Sequence, residues 1–161
     1  MIQKFCDWLA STWISQSFAN AGWFVPTVQT VHILAIAAVV TMLAMLNFRL
    51  LRITRSGPPV HSLAGGYVPW VWRALIVLLI SGILLTITEP SRELMNDSFR
   101  LKMILVLALV VLTAVLRSTL RKDAGYWSAS PGRRRLGSAI ALTSLLLCVS
   151  IVAAGRLIAY V

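Results

Sequence analysis

The sequence predicts an all-α fold: a bundle of four transmembrane helices preceded by an N-terminal interfacial amphipathic helix. Three observations predict it. Four apolar stretches, Thr27–Phe48, Val68–Thr88, Leu101–Leu116 and Leu136–Tyr160, come close to the roughly 17–25 residues a helix needs to cross a hydrocarbon core about 30 Å thick. Charged residues make up only 12% of the chain, about half of what a soluble domain carries. The arginines are gathered in the connections after the first and third stretches. This composition leaves no room for a separate soluble unit, so residues 1–161 read as one integral membrane domain.

The elements follow in order. Residues 1–22 place Ile2, Phe5, Leu9 and Trp13 at helical spacing, with Lys4, Asp7, Ser11 and Gln16 elsewhere on the wheel. That pattern fits a helix lying in the membrane interface, not a cleavable signal peptide. Trp8, Trp13 and Trp23 suit an aromatic belt. Pro26 opens the first span (27–48), where its missing N–H costs nothing. Ser56-Gly57-Pro58-Pro59 reads as a non-helical loop. Pro69 opens the second span (68–88), with Trp70 and Trp72 as belt anchors and Arg73 snorkelling back to the headgroups. Glu89-Pro90 ends that span. The third (101–116) is the shortest and should tilt least. The fourth (136–160) is rich in small residues, Gly137, Ser138, Ala139, Ala141, Ala153, Ala154 and Gly155, which let membrane helices approach closely.

Charge sets the expected orientation. Arg49, Arg52 and Arg55 follow the first span, and Arg117, Arg121, Lys122 and Arg133–Arg135 follow the third. Basic residues in short loops stay cytoplasmic, where anionic lipid also attracts them. Asp7, Glu89, Glu93 and Asp97 fall on the other side; Asp123 alone joins the basic loops. An N-out, C-out protein of the bacterial inner membrane is expected, and the net charge of +10 is assigned to topology, not to nucleic acid. Cys6 and Cys148 should lie at different depths and read as free thiols, because a disulfide tolerates at most about 7 Å between Cα atoms.

Polar residues at membrane depth are functional by default. His32 lies well inside the first span and cannot snorkel to the surface, so it needs a partner within the bundle. Gln29 sits one turn earlier on the same face. Glu89, Lys102 and Arg156 lie near the same level on the other three helices, with Asn96 in the connection beside them. These six are the candidate site. Either His32 makes a structural hydrogen bond to Gln29 or to a neighbouring helix, or the set serves one of three functional roles: His32 as a metal or haem ligand, with Lys102 and Arg156 holding the anionic part; a proton relay with His32 between Glu89 and water; or a pocket for a small lipophilic, quinone-like molecule. Thioether with imidazole suits copper, which singles out Met103 beside Lys102. Met95, Met42 and Met45 are further away. His61 falls on the opposite side and cannot share one haem with His32. No phosphate loop, nucleophile elbow or HExxH occurs, so neither a hydrolase nor an ATP-driven pump is supported.

Val25-Pro26, Gln29-Thr30-Val31-His32-Ile33-Leu34, Asn47-Phe48-Arg49-Leu50-Leu51, Val68-Pro69-Trp70, Phe99-Arg100-Leu101-Lys102 and Ala154-Gly155-Arg156 together resemble a family of small bacterial inner-membrane proteins defined by a domain of unknown function. The resemblance spans nearly the whole chain. It implies a histidine at His32 and basic residues at Arg49, Lys102 and Arg156; the chain departs from it at Gln29 and Asn47, where the family pattern has acids. The bundle is more distantly similar to the copper-resistance D and cytochrome b561 types, which implies haem b or copper as cofactor. The expected function is therefore haem- or copper-linked electron transfer or metal handling around His32. The alternatives are a binder or transporter of a small lipophilic molecule, and a non-catalytic membrane subunit or oligomeric scaffold packed through the small residues of the fourth span.

Overall fold

A computed structural model of the chain describes residues 2–51, 53, 60–122, 126 and 130–157. The Ser56–Pro59 loop, Asp123 and the last residues of the expected fourth span lie outside them. Every regular element among the described residues is a helix: α1 (Ile2–Ala10), α2 (Trp13–Asn20), α3 (Phe24–Leu50), α4 (Val60–Thr88), α5 (Pro90–Leu94), α6 (Asp97–Lys122) and α7 (Pro131–Leu157). Four of them, α3, α4, α6 and α7, are long and apolar enough to cross a membrane.

The long helices outrun the apolar stretches. α4 begins at Val60 and continues through Pro69, so that proline stands inside the helix instead of opening it. The ring removes one backbone hydrogen bond, and Gly65 and Gly66 before it have open space around them. α6 has 26 residues and its span, Asp97–Thr119, is the shortest of the four as expected, although its polar ends carry the helix past the apolar stretch. His61 falls in the first turn of α4, at the opposite end of the bundle from His32.

α3 with α4 and α6 with α7 form two antiparallel hairpins, joined mainly where α3 meets α7; α4 and α6 meet only sparsely. One end of the bundle is covered by α1, α2 and α5. The other, the arginine end, carries Arg49, Arg73, Arg117 and Arg133–Arg135.

The inward faces follow helical periodicity. On α3 the buried stripe runs Val28, Ala35, Val39, Leu43, Leu46 and Leu50. On α7 it runs Gly137, Ala141, Ser144, Cys148, Ile151 and Ala154. Val39, Leu43, Val71, Leu109, Cys148 and Ile151 meet as one central layer, and Leu46, Leu50, Val68, Leu116 and Ala141 as a second toward the arginine end. Ile33, Leu34, Leu79, Ile104, Leu107, Leu146 and Val149 point outward. In water this would be an untenable apolar surface; in a bilayer it is ordinary, and the helices associate through close packing.

The amphipathic N-terminus is two helices, not one. The break falls at Ser11-Thr12, where the Thr12 hydroxyl accepts a hydrogen bond from the Ser15 N–H and caps α2. Small residues face the bundle. The fully buried Cys6 thiol donates to the Pro90 carbonyl at 3.7 Å, and the Ser15 hydroxyl donates to the Ile87 carbonyl at 2.7 Å. Phe5, Trp8, Trp13 and Ile14 are left exposed, as an interfacial anchor requires. Cys6 and Cys148 are both free and buried.

Candidate functional site

His32 continues the inward stripe of α3: the spacing from Val28 to His32 to Ala35 is four, then three, as elsewhere along it. It lies about 12 Å from the start of α3, at 1.5 Å per residue. Its Nδ1 is 2.7 Å from the Ser81 Oγ of α4. The single proton of Ser81 is engaged, since the hydroxyl donates to the Val77 carbonyl at 2.7 Å. In that arrangement the imidazole donates from Nδ1 and a neutral ring keeps its lone pair on Nε2; a Ser81 hydroxyl turned toward His32 reverses the two nitrogens. Gly82 makes room for the ring: a Cβ there would stand 3.7 Å from His32 Cε1.

Lys102 does on α6 what His32 does on α3. The stripe Leu116, Thr113, Leu109 of α6, extended by whole turns, reaches position 102. The Lys102 side chain ends against α7, where a Cβ on Gly155 would lie 3.9 Å from both its Cε and its Nζ. Three of the four inward faces thus turn from apolar to polar at the same end: His32 on α3, Ser81 and Thr88 on α4, Lys102 on α6.

Above them is a cleft of about 140 Å³ lined by Val25 and Gln29 of α3, Leu85, Thr88 and Glu89 at the end of α4, Arg92 and Glu93 of α5, and Gly155 of α7. Glu89 accepts from Arg92 at 2.8 Å in an exposed pair of small energetic value. Burial pushes the Glu93 carboxyl above its ordinary range, against the opposing pull of Lys102 and Arg92. Thr88 satisfies its own hydroxyl on the Leu85 carbonyl at 2.8 Å.

Of the residues expected from sequence, Gln29 and Glu89 line the cleft, Lys102 reaches Gly155 on its wall, and His32 lies about one turn below Gln29. Asn96 is engaged elsewhere: its side-chain oxygen accepts from the Ser98 N–H at 2.8 Å, capping the start of α6. Arg156 is exposed in the last turn of α7; its neighbour Gly155 lines the cleft. Met103 is rotated about 100° from Lys102 by the helix and is exposed. No group of three or more His, Cys, Asp or Glu positioned for a metal occurs among the described residues. Sequence reasoning missed Ser81, Gly82, Thr88 and Glu93. Extending the apolar stripe of α4 from Val68 and Val71 in steps of three and four points to Ser81 and Thr88.

The small residues of the fourth span are largely used inside the chain. Gly137, Ala141 and Ala154 are buried, and Gly155 abuts Lys102, whereas Ala139 and Ala153 are exposed. A second polar pair lies deeper, toward the arginine end. Asn47, fully buried, donates from Nδ2 to Ser144 Oγ at 2.8 Å. Its Oδ1 and the Trp72 Nε1 are buried with no partner among the described residues.

The fold and this end-site define a class: a multi-pass, four-helix membrane protein with a polar pocket at one end of an otherwise apolar bundle. Within that class, the chain belongs to a family of unknown function, DUF6644, whose model matches residues 5–161. No curated protein and no solved structure matches it.

Proposed function

We propose that the chain is a bacterial inner-membrane protein, with both termini outside and the arginine end cytoplasmic, that binds the polar head of a small lipophilic molecule of quinone type beside His32. The observation that carries this reading is the convergence of His32, Ser81 and Lys102 from three inward stripes beneath a cleft. Such a head carries carbonyl oxygens that accept hydrogen bonds and, when reduced, hydroxyls that donate them. Lys102 supplies donors. His32, with Nδ1 committed to Ser81, supplies an acceptor at Nε2. Gln29 offers both. The cleft is smaller than the roughly 300–1,000 Å³ of a typical pocket for a drug-sized molecule, so it suits a head group whose tail lies among lipid.

A second reading is supported by the tautomer alone. A ligating imidazole usually donates its other N–H to a fixed acceptor; with Nδ1–H donated to Ser81, the His32 Nε2 would suit copper or the iron of haem b. The remaining donors fit this less well. Lys102 is cationic, Met103 is turned away, and a haem would have to sit largely outside the cleft, against lipid or a second copy of the chain. The analogy to copper-resistance D and cytochrome b561 bundles rests on helix number. A scaffold role is further from the geometry, although Ala139 and Ala153 leave a small-residue surface for another chain.

One preparation separates the readings. The purified protein is examined by absorption in oxidised and reduced states, by elemental analysis, and by titration with a short-tailed benzoquinone followed through tryptophan fluorescence. Saturable quinone binding, weakened at least tenfold in His32→Ala with the helical content unchanged, is the expected result. A Soret band or stoichiometric copper lost in the same variant would move the assignment to the second reading. Absence of all three would overturn both.

A further inference from the structure

The arginine end differs from the α1/α2 end in what its cations touch. Both described ion pairs, Arg92–Glu89 at 2.8 Å and Arg100–Asp97 at 3.3 Å, lie at the α1/α2 end. So do all the described acids: Asp7, Glu89, Glu93 and Asp97. At the arginine end three guanidinium groups lie over aromatic rings. Arg73 lies over Trp70 at 4.7 Å, Arg117 of α6 over Trp72 of α4 at 5.7 Å, and Arg133 of α7 over Tyr126 at 4.5 Å.

Trp72 and Tyr126 both pack against the apolar layer formed by Leu46, Leu50, Val68, Leu116 and Ala141. Their rings are therefore held by the core, and Arg117 and Arg133 rest on neighbouring fixed platforms. A guanidinium lying over a ring still has its planar fork of N–H donors to offer an anion. Such a fork matches the oxygens of a phosphate, with two parallel hydrogen bonds where geometry allows. Holding the side chain on the ring in advance lowers the ordering cost of binding. Arg134 and Arg135, both exposed, add long-range attraction. The patch stands where the apolar helix surfaces end, at the level of lipid head groups. Beside it runs the sparse seam between α4 and α6, flanked by exposed apolar side chains such as Ile76 and Val111.

We propose that Arg117 and Arg133, held over Trp72 and Tyr126 on one apolar layer, form a binding site for the phosphate of an anionic phospholipid whose acyl chain lies along the α4/α6 seam. This site is separate from the His32 cleft at the other end of the bundle and does not depend on the function assigned there. It also goes beyond loop retention. A retention signal requires only the number and side of the charges, whereas this site requires their planar shape and their rings.

The test uses the full chain, stripped of lipid in detergent and examined by native mass spectrometry. It is mixed with phosphatidylglycerol or with phosphatidylcholine of identical acyl chains. The expected result is one or two phosphatidylglycerol adducts that survive activation which removes phosphatidylcholine. Retention should fall at least tenfold in the double variant Arg117→Gln, Arg133→Gln and stay unchanged in Arg100→Gln. Should the double variant fail to fold, Arg117→Lys replaces it; the charge is kept, the fork is lost, and retention should still fall severalfold. Equal retention of the two lipids overturns the proposal, as does full retention in Arg117→Lys. Displacement of the lipid by millimolar inorganic phosphate would show an adventitious anion only. Preferential binding of an oligonucleotide would assign the patch to nucleic acid instead, and would equally overturn it.

Discussion

His32–Ser81 and Asn47–Ser144 are both interhelical polar pairs inside an apolar bundle, and they differ in nearly everything else. The first joins the two helices of one hairpin; the second joins α3 to α7, across hairpins. His32 is half-buried below a cleft, and its ring keeps one nitrogen available. Asn47 is sealed within a layer of Leu46, Leu50 and Val68, and its spare oxygen faces no described partner. A membrane helix tolerates a sealed polar pair because one good hydrogen bond fixes register between helices. It tolerates a half-open pair beside a charged lysine at some cost in stability. The difference teaches that depth alone does not mark a functional residue at this size of protein. On the proposed reading, what marks it is a polar group with unused hydrogen-bonding capacity next to a space.

That comparison can be broken or sharpened, beginning with the largest effect. Ser144→Ala removes the partner of a buried amide that already has one orphaned atom. It is expected to cost about 1–2 kcal/mol, measured as a lowered unfolding midpoint in detergent, while quinone binding is retained. Loss of binding with unchanged stability would invert the two pairs. Ser81→Ala should do the reverse. Removing the outer partner of the imidazole should weaken ligand binding by about tenfold, on the scale known for such supporting hydrogen bonds, with a small change in midpoint because helix–helix hydrogen bonds average only about 0.6 kcal/mol in a membrane protein.

Glu93 gives a smaller, pH-dependent effect. Its carboxyl is raised by burial, so the folded state holds this proton more tightly than the unfolded chain does. Its contribution to stability is therefore fully present below the ordinary carboxylate value, near pH 4.3, and is lost as the pH rises through the raised folded value. Glu93→Gln should flatten that decline in a midpoint-versus-pH series; an unaltered slope would place the titration elsewhere. Gly82→Ala should change least. The added Cβ meets His32 Cε1 at an ordinary 3.7 Å, and exchanging glycine for alanine inside a helix favours the helix by up to about 1 kcal/mol. A loss of ligand in this variant would mean that the ring moves toward α4 when occupied.

The spans, their order and the ends that carry polar residues were legible because composition over some twenty residues carries that signal. Gln29, His32, Glu89 and Lys102 were legible as a set because each is conspicuous at membrane depth. Ser81 was not, since a serine that bonds its own helix, as this one does to Val77, costs little and looks ordinary. Glu93 was passed over in a short connection whose five-residue helix no periodicity announces. Asn96 and Met103 show the converse. Nearness in sequence suggested membership of the site, whereas a capping bond and about 100° of helix rotation remove them from it. Helix ends were misjudged wherever polar residues continued a helix past the apolar stretch, most clearly at Pro69.

The attachment of α1 and α2 has a mechanical consequence. Their links to the rest of the chain include the bonds from Cys6 to Pro90 and from Ser15 to Ile87, and those two carbonyls bracket Thr88 and Glu89, which form part of the cleft wall. The Ile87 carbonyl is one of the last-turn acceptors of α4 that a helix cannot satisfy by itself. The amphipathic helix pair and the wall of the pocket are thus bonded to each other directly. Lateral tension or thinning of the bilayer, acting on Phe5, Trp8 and Trp13, bears directly on the rim of the pocket as a load.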